Sequence, residues 1–364
     1  MRTPSTLAPI HAVNRRAALA CSLGAFALLA TACGRRDGLV DLGGHGLHTF
    51  RGLSMGSSYT VKIAAPGLSA AAQAAAQQAV AGALAEVVAL MSHYDSDSEL
   101  SRLNRQALGR PLVVSEPTLR VFVTAESVKA ASGGAFDVAV GRAVDAWGFG
   151  PSEQARRVLP AATLGALRRE HSAEAIRVNA RAGTLTRQAP VLANLSGVAK
   201  GYGVDRAALA LEALGMADYM VEVGGEIRTR GHNASGQPWQ LAIERPDAMP
   251  QQALRIVPLA GRSLATSGDY RNFFIAGGKR YSHEIEPTTA APVDHALASV
   301  SVVATDCTAA DAWSTALFVL GPERGPKTAS RLGLAAHFVR RQADGSFAES
   351  ATEAFLALGA RGAG

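Results

Sequence analysis

The chain has 364 residues, 48% of them hydrophobic and 18% charged, which is long and apolar enough to bury its own core and excludes a disordered or fibrous polypeptide. Its formal charge of +6 falls to +3 when the three leader arginines, Arg2, Arg15 and Arg16, are set aside. No basic run is present and aromatics make up only 5%, so neither a nucleic-acid partner nor a base-stacking surface is indicated.

Residues 1–32 read as a signal peptide, with a positive start, a small-residue apolar run over 17–32, and Cys33 directly after Ala30, Thr31 and Ala32. The run is shorter than the ~20 residues of a membrane-spanning helix. A cysteine in that place looks like a lipoprotein cleavage site, although Ala30 stands where leucine is usual, so Cys33 is the expected lipidation site. Asn14, Arg15 and Arg16 weakly resemble a twin-arginine signal, which leaves Sec and Tat export both open. The expected location is the periplasmic side of a bacterial membrane, the inner one favoured, with the bilayer as partner of acylated Cys33. With Cys21 removed and Cys33 acylated, Cys307 stands alone and no internal disulfide forms. The polar, glycine-rich residues 33–52 read as a tether carrying solvated His45 and His48, and 53–364 as the catalytic domain.

Within that domain the Ala/Gln-rich stretch 69–90 predicts a long helix whose exit carries MSHYDSDSELSRLN. Residues 152–175 read as a charged surface helix, and 175–187 alternate like a hairpin. A helix over 204–214 closes at Gly215, followed by a strand over 219–223 that runs into Gly224 and Gly225. No repeat or low-complexity linker divides the chain. Helices and strands without regular βαβ repetition favour an α+β fold of mixed, largely antiparallel sheets with packed helices, as one compact two-lobed catalytic unit.

Two places carry chemistry. Ser196, Gly197, Gly201 and Gly203 keep bulk low where the helix is expected to start, so backbone N–H groups can approach an anion, with Lys200 adding charge. The same glycines also suit a helix packed closely on a sheet, and their spacing matches neither GxGxxG nor GxxxxGK[ST]. Further on, Asp311 and Thr315 stand four apart on a predicted helix and face the same way. Their hard oxygens suit Mg²⁺, although such a pair taken alone is more often a local hydrogen bond.

Seven blocks in one order resemble the FAD:protein FMN transferase family: MGSSY at 55–59, MSHYDSDSELSRLN at 91–104, GGAFDVAVGRAVDAWGFG at 133–150, the glycine block from Asn194, SLATSGDYRNFF at 263–274, YSHEIEPTTAAPV at 281–293 and ASVSVVATDCTAADAWSTALFVLG at 298–321. The resemblance implies the same fold class and an enzyme that takes FAD as substrate with Mg²⁺. It implies attack by a Ser or Thr hydroxyl of an acceptor protein, an exported or membrane redox subunit, on the FMN phosphorus, with AMP released. Asp311 and Thr315 match the family's metal ligands, with Gly197 contributing through its main chain. Met55, Tyr94, Ala135, Phe136, Asp137, Asn194, Lys200 and Ile285 match positions lining the FAD site, and Asn104 is a further polar candidate. His283 is expected to assist proton removal, because imidazole titrates near neutral pH. Asp269 and Arg271 are expected to support the fold.

The chain departs from the family pattern at Asn194 and Ser196, at Ala139 and Arg142, at Glu286 in place of aspartate before Pro287, and at Ala290 where glycine is usual. Asn194 loses a charge but keeps an acceptor. A lipid-anchored FAD-binding protein, or an FAD pyrophosphatase using water as nucleophile, are the alternative readings; the three differ in whether FMN stays in FAD, is released, or is attached to protein.

Overall fold

Eight strands build a central antiparallel sheet in a computed structural model that describes residues 46–152, 154–171 and 174–363. They are β1 (Leu47–Ser54), β2 (Ser57–Ala64), β3 (Tyr219–Val223), β4 (Glu226–Arg230), β5 (Ser263–Gly268), β6 (Leu297–Ala304), β7 (Ala335–Arg341) and β8 (Phe347–Ala351). Their order across the sheet is their order along the chain, and every neighbouring pair is antiparallel. The period of two is visible in β2 and β3, where Tyr59, Val61, Ile63, Tyr219, Val221 and Val223 are buried and the residues between them are less so. Strand β6 is buried along nearly its whole length, because both faces of the sheet are covered there.

One face carries the long helices. Helix α1 (Ala70–Met91) is capped by the Ser69 side chain and buries Ala76, Val80, Leu84, Val87 and Met91 at helical spacing. The segment that follows holds α2 (Glu99–Arg105), α3 (Glu116–Ser132) and a three-stranded sheet of 111–113, 176–179 and 184–187, packed around Leu100, Phe122, Phe136 and Leu185, and α4 (Gly141–Ala146) and α5 (Ala161–Glu170), whose Ala143 and Leu167 join a separate cluster with Trp147 and Phe149. Helix α6 (Ala199–Ala213) packs on α1, and α7 (Cys307–Arg331) on α6 and the sheet. The other face is covered by a small sheet of 239–244, 253–259 and 361–362 through Trp239, Leu241, Val257 and Leu259, with the short α8 (Glu353–Leu356) supplying Phe355.

The fold is the expected α+β architecture, and the 175–187 hairpin, the 219–223 strand and the long first helix fall where the sequence placed them. Three local expectations differ. The tether reading runs too far, since β1 starts at Leu47 and His48 hydrogen-bonds the Ala65 carbonyl and Gln73. The helix expected over 152–175 covers only 161–170, ending about three turns after Pro160 opens it. Helix α6 begins at Ala199, not 204, so Gly201 and Gly203 lie inside it. Cys307 is buried and free, while Cys21, Cys33 and His45 lie outside the described residues.

Candidate active site

The close approach of α6 and α7 depends on Gly201. A Cβ there would stand 2.2 Å from the Cys307 carbonyl oxygen and 2.7 Å from Asp311 Cβ. With hydrogen in its place, the Gly201 N–H donates to Asp311 Oδ2 at 2.8 Å. Gly197 approaches the same helix one turn on, where a Cβ would lie 3.0 Å from Thr315 Oγ1. Gly203 makes room for Met55, whose sulfur would sit 2.7 Å from a Cβ. Gly201 and Gly203 thus serve close packing, and Gly197 brings backbone against a polar side chain.

These contacts wall a cavity of about 700 Å³. It is lined by the β1–β2 turn, the segments 135–137 and 194–200, the Gly224–Gly225 turn, the end of β5 and the loop after it, residues 283–285, and Asp311 and Thr315. Of the residues singled out in the sequence, Tyr94, Ala135, Phe136, Asp137, Asn194, Gly197, Lys200, His283, Ile285, Asp311 and Thr315 line it together. Met55 and Asn104 do not. Met55 packs between two core clusters. Asn104 donates to the Ala193 carbonyl at 2.9 Å and accepts the Ala193 N–H at 2.7 Å, and so holds the chain immediately before Asn194.

Charge in the cavity is concentrated around one lysine. Lys200 Nζ lies 2.7 Å from buried Glu226 Oε1. Burial works against its proton, but Glu226 and then Asp311 outweigh that and hold its pKa above the ordinary lysine value. Burial pushes Asp311 up to about 7, with Glu226 adding to the rise. Glu284, also buried, is pushed up to about 8 by burial, against the pull of Lys200. Three buried carboxyls thus share one ammonium, and Glu226 Oε2 has no hydrogen-bond partner. The sequence reading missed Glu226 and Glu284, although the first follows the glycine pair directly and the second sits inside the HEIEP block.

That arrangement fits a divalent cation of hard preference. Asp311 is a carboxyl raised by burial and by Glu226 against the pull of Lys200, and Thr315 Oγ1, 3.0 Å from Ser267 Oγ, brings a hydroxyl beside the Gly197 main chain. Among the described residues no group of three or more His, Cys, Asp or Glu is arranged to hold a metal by itself. The side-chain donors present are one carboxylate and one hydroxyl, with the Gly197 main chain beside them, a set that leaves room for substrate phosphates.

His283 stands in the cavity wall beside Glu284. Its side chain is 38% exposed and its Nε2 stands 3.7 Å from Glu284 Oε1. Its Nδ1 is buried without a partner. Desolvation, then the Lys200 charge, lower its pKa to about 4, so the ring is neutral at physiological pH. Phe149 meets it edge-on at 6.4 Å.

The remaining lining residues are set by their surroundings. Asp137 is desolvated, yet His171 at 2.9 Å and Lys129 at 2.8 Å outweigh that and lower its pKa, while the Ala139 N–H caps it. Its carboxylate is thereby committed, and it holds the 135–138 backbone in place. Asn194 Oδ1 accepts the Ser196 N–H at 2.9 Å, the acceptor function kept at this departure from the family pattern. Tyr94 is 67% exposed at the cavity edge and packs on His93 at 4.2 Å between centroids. Arg271 lines the cavity paired with Glu244, whereas Asp269 turns to Arg341 at 2.7 Å.

Residues 55–338 match the ApbE family. An FAD:protein FMN transferase of Haemophilus influenzae is 36% identical over 92% of this chain and 95% of its own, and one of Vibrio cholerae is 39% identical over 84% and 90%. Among solved structures, the apo flavinyl transferase ApbE of Pseudomonas stutzeri superposes with a TM-score of 0.78 at 35% identity, covering 86% of this chain and 96% of that one.

Proposed function

Because the chain belongs to the ApbE family and is an FAD:protein FMN transferase, we propose that it attaches FMN to a Ser or Thr hydroxyl of its acceptor, releases AMP and depends on Mg²⁺. The hydroxyl oxygen forms a bond to the FMN phosphorus, the bond from that phosphorus to the bridging oxygen breaks, and AMP departs with that oxygen. The hydroxyl proton goes to His283.

The observation that carries this reading is the meeting, in one cavity, of a neutral histidine with an unpartnered nitrogen and a lysine surrounded by buried carboxyls. A neutral imidazole accepts a proton at pH 7, where a protonated one does not. Lys200 brings positive charge to the pyrophosphate. Asp311, Thr315 and the Gly197 main chain would hold Mg²⁺, which when bound neutralises phosphate charge. The 135–137 backbone, braced by Lys129 and His171, and exposed Tyr94 offer polar edges and a flat face to the rings of FAD. Acylation of Cys33 would place this chemistry at the periplasmic side of the membrane, where exported redox subunits are the acceptors.

The test is incubation of the protein with FAD, MgCl₂ and an acceptor protein, read by intact mass. An FMN-sized gain on the acceptor, absent with Asp311→Ala and reduced about 100-fold or more in rate with His283→Gln, is the expected result. FMN and AMP appearing beside an unmodified acceptor would sink the transfer reading.

A further inference from the structure

One buried carboxyl of the cavity stands directly beside His283. Glu284 is 7% exposed, lines the cavity, and brings Oε1 to 3.7 Å from His283 Nε2. Among the described residues it is the one carboxyl within ion-pair distance of that ring. No hydrogen bond holds the carboxyl; burial and the charges of Lys200, Asp311 and Asp269 set its protonation. The backbone fixes both residues, since the His283 N–H donates to the Asn272 carbonyl at 3.1 Å and the Glu284 carbonyl accepts the Val293 N–H at 2.9 Å. A buried carboxyl left without a hydrogen bond costs stability, and its place next to the base gives it a use.

When His283 takes a proton, its ring becomes an imidazolium in a desolvated wall, and the two other charges that act on it, Lys200 and Arg156, are both positive. Such an ion is costly to form unless an anion balances it. The ring keeps a proton only below about pH 4, whereas Glu284 keeps one up to about pH 8. A proton on His283 therefore runs downhill to an ionised Glu284. Nδ1 is buried, which leaves Nε2 as the nitrogen that exchanges protons with the cavity.

We propose that Glu284 is the second member of a proton relay, receiving from His283 Nε2 the proton that the ring takes from the acceptor hydroxyl. The proposal rests on the transfer reading above and names where that proton goes next. The acceptor O–H bond breaks as N–H forms at Nε2. That N–H bond then breaks as O–H forms on Glu284, and the carboxyl returns its proton to water once the modified acceptor has left.

Steady-state transfer by the full chain in detergent at saturating MgCl₂, with the acceptor protein of the Vibrio cholerae relative as probe, tests it. Wild-type kcat/KM for the acceptor is expected to rise about tenfold or more from about pH 6.5 to about pH 8.5, as Glu284 ionises. Glu284→Gln, close in shape, is expected to flatten that rise and lower kcat about tenfold, with the FAD KM unchanged, and Glu284→Asp to recover part of both. In a His283→Gln background, Glu284→Gln is expected to cost nothing further, because the relay has lost its donor; a glutamate with a merely structural role would cost as much there as in wild type. A Glu284→Gln chain that keeps the wild-type kcat and pH rise overturns the relay, as does a loss repeated in the His283→Gln background or a change confined to the FAD KM. A thermal melt at or above wild type separates a lost relay from lost folding. A wild-type chain that labels no acceptor overturns the transfer reading itself, and the relay falls with it.

Discussion

The backbone N–H of Gly201 and the Oδ2 of Asp311, 2.8 Å apart, join α6 to α7 at the carboxylate expected to bind metal. Packing and chemistry meet at one contact. Gly201→Ala would drive a methyl to within 2.2 Å of the Cys307 carbonyl, a backbone atom with no rotamer to escape into. The expected cost is about 3 kcal/mol of stability, with transfer activity falling alongside. Urea unfolding measures the first and the mass assay the second; a wild-type midpoint with Ala in place would contradict the helix spacing.

The pH response of stability follows from Asp311 at about 7 and Glu284 at about 8. In the unfolded chain such carboxyls titrate near ~4. Folded-state values above that mean the folded protein retains protons the unfolded chain has lost, so these two carboxyls lower stability as pH rises from about 4 through 8, while His283, held neutral in the fold, opposes them below about 6.5 and the fall stands alone above it. Metal-free protein is expected to melt at a lower temperature at pH 8 than at pH 6. Mg²⁺, held as proposed by the ionised carboxylate, would narrow that gap. Asp311→Asn should raise the metal-free melting temperature at pH 8 and remove the effect of Mg²⁺. Scanning calorimetry with EDTA or MgCl₂ decides it, and a flat profile in EDTA would refute the assigned burial.

Ala290 holds a left-handed backbone at φ 55° and buries its methyl, while its carbonyl accepts the Trp147 indole N–H at 2.9 Å. An L-residue in that conformation is strained by about 1–2 kcal/mol, which glycine avoids at some cost in unfolded-state entropy. Ala290→Gly is therefore expected to stabilise by roughly 0.5–1 kcal/mol with FAD affinity unchanged. A lowered melting temperature would show that the methyl's packing outweighs the strain.

Asn104 makes two hydrogen bonds to Ala193, one residue before cavity-lining Asn194. Asn104→Ala removes both and leaves two backbone groups to find new partners, a cost of about 1–3 kcal/mol. The expected signature is a raised KM for FAD with kcat near wild type, because the residue positions a wall of the cavity without touching the reacting atoms. A fall in kcat alone would place Asn104 in the chemistry instead.

Much of the fold was legible because its signals are local. The Ala/Gln-rich run over 69–90, the short apolar strand over 219–223 and the glycine pair after it each specify their element without help from distant residues. Helix α6 was misplaced because Gly201 and Gly203 weaken helix propensity, and only the neighbouring α7 and Met55 reveal why those glycines sit within it. The same holds in the site. Asp311 and Thr315 were recognisable as a pair four apart on one helix, but Glu226 and Glu284 lie far from Lys200 in sequence. Their importance comes from burial beside it, which no spacing announces. Asn104 was read as a cofactor contact from its motif, and its partner turned out to be backbone 89 positions away.

Strand β1 opens at Leu47, fourteen residues beyond Cys33. Drawn out fully, that length of chain reaches about 50 Å. A lipid on Cys33 would therefore act as a short leash, fixed to the same hairpin that carries cavity-lining Ser58, and the edge of the cavity would patrol a shallow layer above the bilayer. Which hydroxyls are modified would then depend on height above the membrane as well as on fit.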